Sequence, residues 1–200
     1  AYSNLVWLGR VEPQQRVLVH AGASGVGTAA IQLARAMDAS VAATAGSKAK
    51  RALCIALGAQ EAIDYRSEPW PQRVREWAQE GVNIILDFVG GPYLEANLAC
   101  LAVDGKVIII GTLGGSTAPS VDLRLILGRR LQVLGTALRS RPLAQKARMT
   151  TEFWSFARPL FETGAIAPVI DRVLPLRDAA VAHRVLEANE NIGKVILRVD

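Results

Sequence analysis

The residues best placed to do chemistry lie in Val17-Leu-Val-His-Ala-Gly-Ala-Ser-Gly-Val-Gly-Thr-Ala-Ala-Ile-Gln-Leu-Ala34. A short β-branched run enters a glycine-rich turn, Gly22-Ala23-Ser24-Gly25-Val26-Gly27, and leaves with Val26, Ala30, Leu33 and Met37 on one helical face. Glycines let a backbone approach phosphates closely, and the free N–H groups at a helix start add hydrogen bonds and partial positive charge. A strand, turn and helix of this kind hold a dinucleotide pyrophosphate. Against the pattern G-x-G-x-x-G, Ser24 stands at the second glycine and Gly25 is an extra one. A glycine-rich strand–helix turn with no ligand is the alternative.

A second group could choose between cofactors. Sites for NAD place a carboxylate after the second strand to accept from the ribose hydroxyls. Here that strand ends Thr44-Ala45-Gly46-Ser47-Lys48-Ala49-Lys50-Arg51, with no acid, and Asp38 comes too early. Small residues, a hydroxyl and cations suit the 2′-phosphate of NADPH through charge-assisted hydrogen bonds. Lys48, Lys50 and Arg51 could also be a solvated helix face. His20 and His183 have no neighbouring Ser, Cys or Asp pattern of a triad or metal site, so both read as structural. Asp87 could position backbone or ribose, or cap a glycine loop. Cys54 and Cys100 form no CxxC pair or His/Cys cluster, which reads as reduced core thiols, no metal site and a cytoplasmic setting. Trp7, Trp70, Trp77 and Trp154 fall in helical segments and read as core or interface residues.

The elements that must position these residues alternate with a parallel-sheet rhythm. A helix over 2–8 precedes strands at 16–20, 40–45, 61–64, 82–88, 105–110 and 131–136. Helices over 25–37, 48–57, 71–79, 92–101, 122–127 and 142–163 alternate with these strands. The fold class expected is α/β, a doubly wound parallel sheet of Rossmann type, its ligand crevice at the carboxyl ends of the strands. Glycines follow strands one, four and five: Gly22–Gly27, Gly90-Gly91 and Gly111–Gly115. Strand-like segments at 172–176 and 194–199, with a helix over 177–188, find no place in that sheet and read as a β-α-β appendage. The 200 residues are half apolar with a net charge of +5. The basic residues are scattered and the apolar runs are only strand-length, which disfavours a nucleic-acid surface and a membrane span.

Several blocks in one order carry a family resemblance: the Val17–Ala34 block, Thr44-Ala-Gly-Ser-Lys-Ala-Lys50, Leu57-Gly-Ala before Ile63-Asp-Tyr-Arg66, Ile85-Leu-Asp-Phe-Val-Gly-Gly91, Asp171-Arg-Val-Leu-Pro-Leu176 and Asn191-Ile-Gly-Lys-Val195. The chain resembles the zinc-free, zeta-crystallin-like quinone oxidoreductases of the medium-chain dehydrogenase/reductase superfamily, especially the p53-inducible type. The resemblance implies a dinucleotide-binding domain over 1–164. It makes 165–200 a segment of a GroES-like catalytic domain otherwise absent here, so the catalytic residues stay unknown. It also implies NADPH as cofactor, with Gly22, Ser24, Gly25, Val26 and Gly27 at the pyrophosphate and Gly46, Ser47, Lys50 and Tyr65 around the adenosine and its 2′-phosphate. Val89 would lie along the adenine side. Gly111, Thr112, Leu113, Gly114, Leu138, Arg139 and Ser140 would line the nicotinamide half, and Asn191 would close the site. Hydride transfer to quinones or conjugated carbonyls is the activity implied, with a homodimer through the edge strand 131–136. An enoyl reductase and a non-catalytic NADPH-binding or dimerisation module are the competing readings.

Overall fold

The computed structural model describes residues 1–199. Six parallel strands run β1 (Arg16–Val19), β2 (Ser40–Ala45), β3 (Glu61–Asp64), β4 (Val82–Asp87), β5 (Leu101–Ile109) and β6 (Gln132–Gly135). Their spatial order is β3-β2-β1-β4-β5-β6. The order reverses between β1 and β4, where a doubly wound sheet opens its crevice. Val17, Leu18 and Val19 of β1 and Ile84, Ile85 and Leu86 of β4 are all buried. Helices cover both faces of a parallel sheet, so its central strands carry continuous apolar runs rather than alternation. One face packs Ala30, Ile31, Leu33 and Ala34 of α1 (Gly25–Ala36). The other packs Trp70 and Val74 of α3 (Trp70–Trp77) and Leu98 of α4 (Gly91–Cys100).

Most expected elements fall within two residues of their observed bounds; β5 does not. It begins at Leu101, not Gly105, because Leu101 pairs with Val82 and the ladder then shifts before Ile84 meets Lys106. Asp104 sits there at φ 62°. The Asp104-Gly105 step that reads as a strand start is an irregularity inside a longer strand. The remaining helices are α2 (Lys48–Ala56), α5 (Leu123–Arg129) and α6 (Leu143–Glu162), and residues Ser3–Gly9 form a wide helical turn ahead of β1.

The appendage is a separate two-stranded parallel sheet, β7 (Ile170–Pro175) and β8 (Lys194–Arg198), with α7 (Ala179–Glu187) between them. It reaches the main sheet at one informative point. The Gly193 N–H donates to the Ala23 carbonyl at 2.8 Å, inside the glycine turn. Gly193 adopts φ 83°, and a Cβ there would stand 2.7 Å from Val169 Cγ1, so the close approach requires glycine. Gln32 of α1 adds a second tie, donating to the Ala167 carbonyl at 3.0 Å and accepting from the Ala167 N–H at 2.8 Å.

Candidate functional site

The glycine turn is built for close packing first. A Cβ on Gly22 would lie 2.7 Å from Ala43 Cβ, and one on Gly27 would lie 2.7 Å from the Gly22 carbonyl oxygen. These two glycines therefore press α1 against the sheet. Ser24 is the N-cap of α1, its Oγ accepting from the Gly27 N–H at 3.0 Å. That bond satisfies one of the helix's orphan donors and explains why serine is tolerated where the pattern has glycine. Gly25 faces the appendage, where a Cβ would meet the Lys194 side chain, its Nζ 2.7 Å away. Val26 is half-buried against the core.

Beside the turn lies a pocket of about 70 Å³ lined by Ala21, Ser24, Gly46, Lys50, Tyr65 and Asn191, with Ala23, Ala45 and Asn189 completing it. Five of the sequence-derived residues thus converge, Lys50 from α2 and Ser24, Gly46, Tyr65 and Asn191 from four separate connections. Ser47 stands beside the pocket as the N-cap of α2, accepting from the Lys50 N–H at 3.3 Å. Lys50 Nζ donates to both the carbonyl and the side-chain oxygen of Asn189, at 2.6 and 2.9 Å. Burial, then the nearby Arg66 guanidinium, push the Lys50 ammonium below the usual lysine range.

Asp64 organises the far wall. Its carboxylate accepts from the Arg66 N–H at 3.1 Å and pairs with Arg51, and its carbonyl accepts from the N–H groups of Ser67 and Glu68. The Arg66 amide, more than the Arg51 cation, holds this carboxyl below the usual carboxylate range. The resulting turn swings Tyr65 Oη and Arg66 Nε over Gly46, where a Cβ would meet them at 2.8 and 2.9 Å. Asp64 is aligned with Ala45, the last residue of β2, yet its carboxylate is committed to Arg51 and this turn. Arg66, Asn189 and the three alanines are pocket neighbours to which the sequence assigned no individual role. The alanines are marked only by their smallness, and Asn189 only by its place after α7, where it adopts φ 52°.

A second cluster sits across the crevice. Asp87 ends β4 with its carboxylate accepting from the N–H groups of Val89 and Gly90, at 2.7 and 3.2 Å. It caps the glycine loop. Burial pushes its carboxyl above the usual range, while those N–H bonds pull the other way. The Leu113 N–H donates to the Phe88 carbonyl and the Gly114 N–H to the Val89 carbonyl, at 3.1 and 2.9 Å. Val89, Gly111, Thr112, Leu113 and Gly114 are thereby brought together, Leu113 projecting 88% exposed. Leu138, Arg139 and Ser140 do not line the pocket. They stand exposed on the turn before α6, where the Arg139 carbonyl accepts from Lys146.

The remaining candidates are structural. His20 is fully buried, its Nε2 at 2.8 Å from Asn97 Oδ1 and its Nδ1 at 3.0 Å from Thr44 Oγ1. The amide oxygen only accepts, so Nε2 carries the proton and Nδ1 accepts from the threonine. Trp70 and Tyr93 meet the ring edge to face, with centroids 4.8 and 5.0 Å away. Burial pushes the His20 pKa down to about 4. Burial likewise pushes both thiols up to about 11. Trp70 is core, as expected; Trp154 is 54% exposed. Among the described residues, no group of three His, Cys, Asp or Glu side chains is placed to hold a metal, and no helix is long and apolar enough to cross a membrane.

Comparison with known proteins agrees with this geometry. Over 202 residues the chain is 29% identical to human quinone oxidoreductase, covering 98% of this chain and 58% of that protein. It is 34% identical over 200 residues to a mycocerosic acid synthase-like polyketide synthase of Mycobacterium tuberculosis, matching all of this chain and 9% of that one. The chain thus spans little more than half of one relative and a small part of the other. The quinone oxidoreductase of Thermus thermophilus, solved also in complex with NADPH, superposes with a TM-score of 0.81 at 34% identity, covering 96% of this chain and 61% of that one. The zinc-binding dehydrogenase profile matches residues 25–155, from the turn through most of α6. The chain belongs to the zinc-binding dehydrogenase family, within the medium-chain dehydrogenase/reductase superfamily.

Proposed function

We propose that this chain is the NADPH-holding part of an oxidoreductase that delivers hydride to quinones or conjugated carbonyls. One observation supports this above the rest: the small-walled hollow over Gly46, with Ser47, Lys50, Tyr65 and Arg66 around it and no carboxylate among the described residues that line the pocket. A ribose diol wants an acceptor there, and a 2′-phosphate wants donors and positive charge. The residues present fit the phosphate.

In this reading Gly22 and Gly27 keep the backbone close, and the N–H groups of the Ser24–Gly27 turn hold the pyrophosphate. Val89 borders the adenine, and Gly111, Thr112, Leu113 and Gly114 border the nicotinamide half. Asn191, whose Nδ2 donates to the Gly193 carbonyl at 2.9 Å, closes the adenosine end. Leu138, Arg139 and Ser140, which follow β6 beside the end of β5, would border the same half. The cofactor's nicotinamide supplies the hydride when bound; the protein's task is to hold and orient it. The sequence blocks favour the p53-inducible type within the group.

Residues 165–199 are read as part of a substrate-facing domain. Ile170, Val173, Ile196 and Val199 are exposed on β7, β8 and the residue after them, an apolar face such a domain would cover. An enoyl reductase is the second reading, favoured by the polyketide synthase that matches the whole chain. Fluorescence titration with NADPH and NADH tests the cofactor assignment, and a chain that prefers NADH overturns it. Assay of the protein with its substrate-facing domain against quinones and enoyl thioesters then separates the two activities.

A further inference from the structure

We propose that Arg66 is a second phosphate-reading residue, one that supplies the uncommitted cation where Lys50 alone is partly spent. The inference rests on the NADPH reading above and gives a role to a residue that the resemblance leaves without one.

The Lys50 ammonium already gives two hydrogen bonds to Asn189, at 2.6 and 2.9 Å. An ammonium has three donors, so one is left for an anion. That bonding ties Lys50 to the turn after α7, and it cannot turn wholly toward a phosphate without releasing Asn189. Arg66 is placed differently. Its Nε lies 2.9 Å from where a Cβ of Gly46 would stand, on the same side as Tyr65 Oη. Its guanidinium lies 5.9 Å from the Tyr65 ring centroid, which steadies the plane without using its donors.

The carboxylates flanking Arg66 in sequence, Asp64 and Glu68, are taken by other cations. Arg51 pairs with Asp64, and Arg73 pairs with Glu61, Glu68 and Glu76. None of the ion pairs among the described residues includes Arg66. Its backbone is nevertheless fixed, because its N–H donates to Asp64 Oδ1. An exposed arginine with a pinned backbone, a ring beside its guanidinium and no ion pair among the described residues is arranged to meet two oxygens of a phosphate through paired bonds. The depressed basicity of Lys50 has Arg66 as its second cause, so the two cations already repel across the hollow. A doubly charged phosphate between them would relieve that repulsion.

The test is binding of 2′,5′-ADP and of 5′-ADP, two ligands that differ by the phosphate, to the full chain and to Arg66→Ala and Arg66→Lys. The expected result is a wild type that prefers 2′,5′-ADP, and an Arg66→Ala variant that loses roughly ten- to hundredfold for that ligand alone. Arg66→Lys should recover only part, since an ammonium cannot form the paired bonds. Melting curves without ligand show whether each variant is folded; a misfolded Arg66→Ala leaves Arg66→Lys as the deciding comparison. A wild type that prefers 2′,5′-ADP with Arg66 variants unchanged, or weakened equally for both ligands, overturns the role of Arg66. A wild type indifferent to the phosphate overturns the NADPH reading beneath it.

Discussion

Lys50 sits between two demands, the phosphate it is proposed to read and the Asn189 oxygens it holds. Lys50→Ala should weaken NADPH binding roughly ten- to hundredfold, as expected for one hydrogen bond to a charged group. NADH binding should change little, and Asn189→Ala serves as the control that breaks the clasp but keeps the ammonium. Equal losses for both cofactors in Lys50→Ala would mean the lysine acts only through the clasp. His20 offers a test on stability instead. Its folded pKa of about 4 lies below the ordinary value of 6.5, so the unfolded chain binds its proton first as pH falls. The neutral ring's contribution is fully present above pH ~6.5 and is lost progressively toward pH ~4. Between pH 7 and 5 the wild type should lose about 2 kcal/mol more than His20→Gln, measured by urea unfolding with other groups held common. Parallel curves for the two proteins would show that His20 is not held neutral. At this scale the glycine turn and the place of Lys50 beside it were legible because charge and smallness are visible in a string. Asn189 and Arg66 were not visible, since their roles come from a turn after α7 and from the Asp64 turn that aims a side chain back over Gly46.

The edge of the sheet is an element with an unanswered ladder. The Thr136 N–H turns inward to the Ile109 carbonyl. Strand groups alternate sides, so Val133 and Gly135 direct theirs to the free edge. Val133 is 40% exposed, and α5 beside it exposes Leu123 and Leu127. An unpaired apolar edge without proline invites pairing, which supports the proposed homodimer through Leu131–Thr136. Val133→Pro should remove one outward donor, spare the β5–β6 ladder and shift light scattering from dimer toward monomer. A wild type already monomeric would end the dimer proposal. Strand and helix positions were legible because both-face burial writes β1 and β4 as unbroken apolar runs. The start of β5 was not, because Gly105 looks like punctuation and only its neighbour Val82 reveals that the strand continues through it.

At the scale of the molecule, the six-stranded sheet and the β7–β8 sheet meet where a cofactor would lie. The Gly193 N–H reaches the Ala23 carbonyl, and Asn189 and Asn191 complete a pocket whose floor comes from β2, β3 and the turn after β1. The appendage is thus a wall of that pocket. The loop pair at Val89 and Gly111–Gly114 has no such cover among the described residues, and Leu113 stands 88% exposed beside it. Sequence order alone could show that residues 165–200 had no place in the sheet, but not that they return to the glycine turn. The asymmetry between the two ends predicts that binding and turnover separate in this 200-residue chain. NADPH should bind, because the groups proposed for phosphate and adenosine are present and mutually braced. Quinone should be reduced poorly or not at all, because nothing among the described residues walls the nicotinamide end against water or holds an acceptor near it. Fluorescence titration gives the first quantity and quinone-dependent oxidation of NADPH the second. Turnover matching that of a full-length relative would overturn the division. It would place every group needed for hydride delivery within these residues and turn attention to Leu138, Arg139 and Ser140, the exposed residues of the expected nicotinamide half that follow β6.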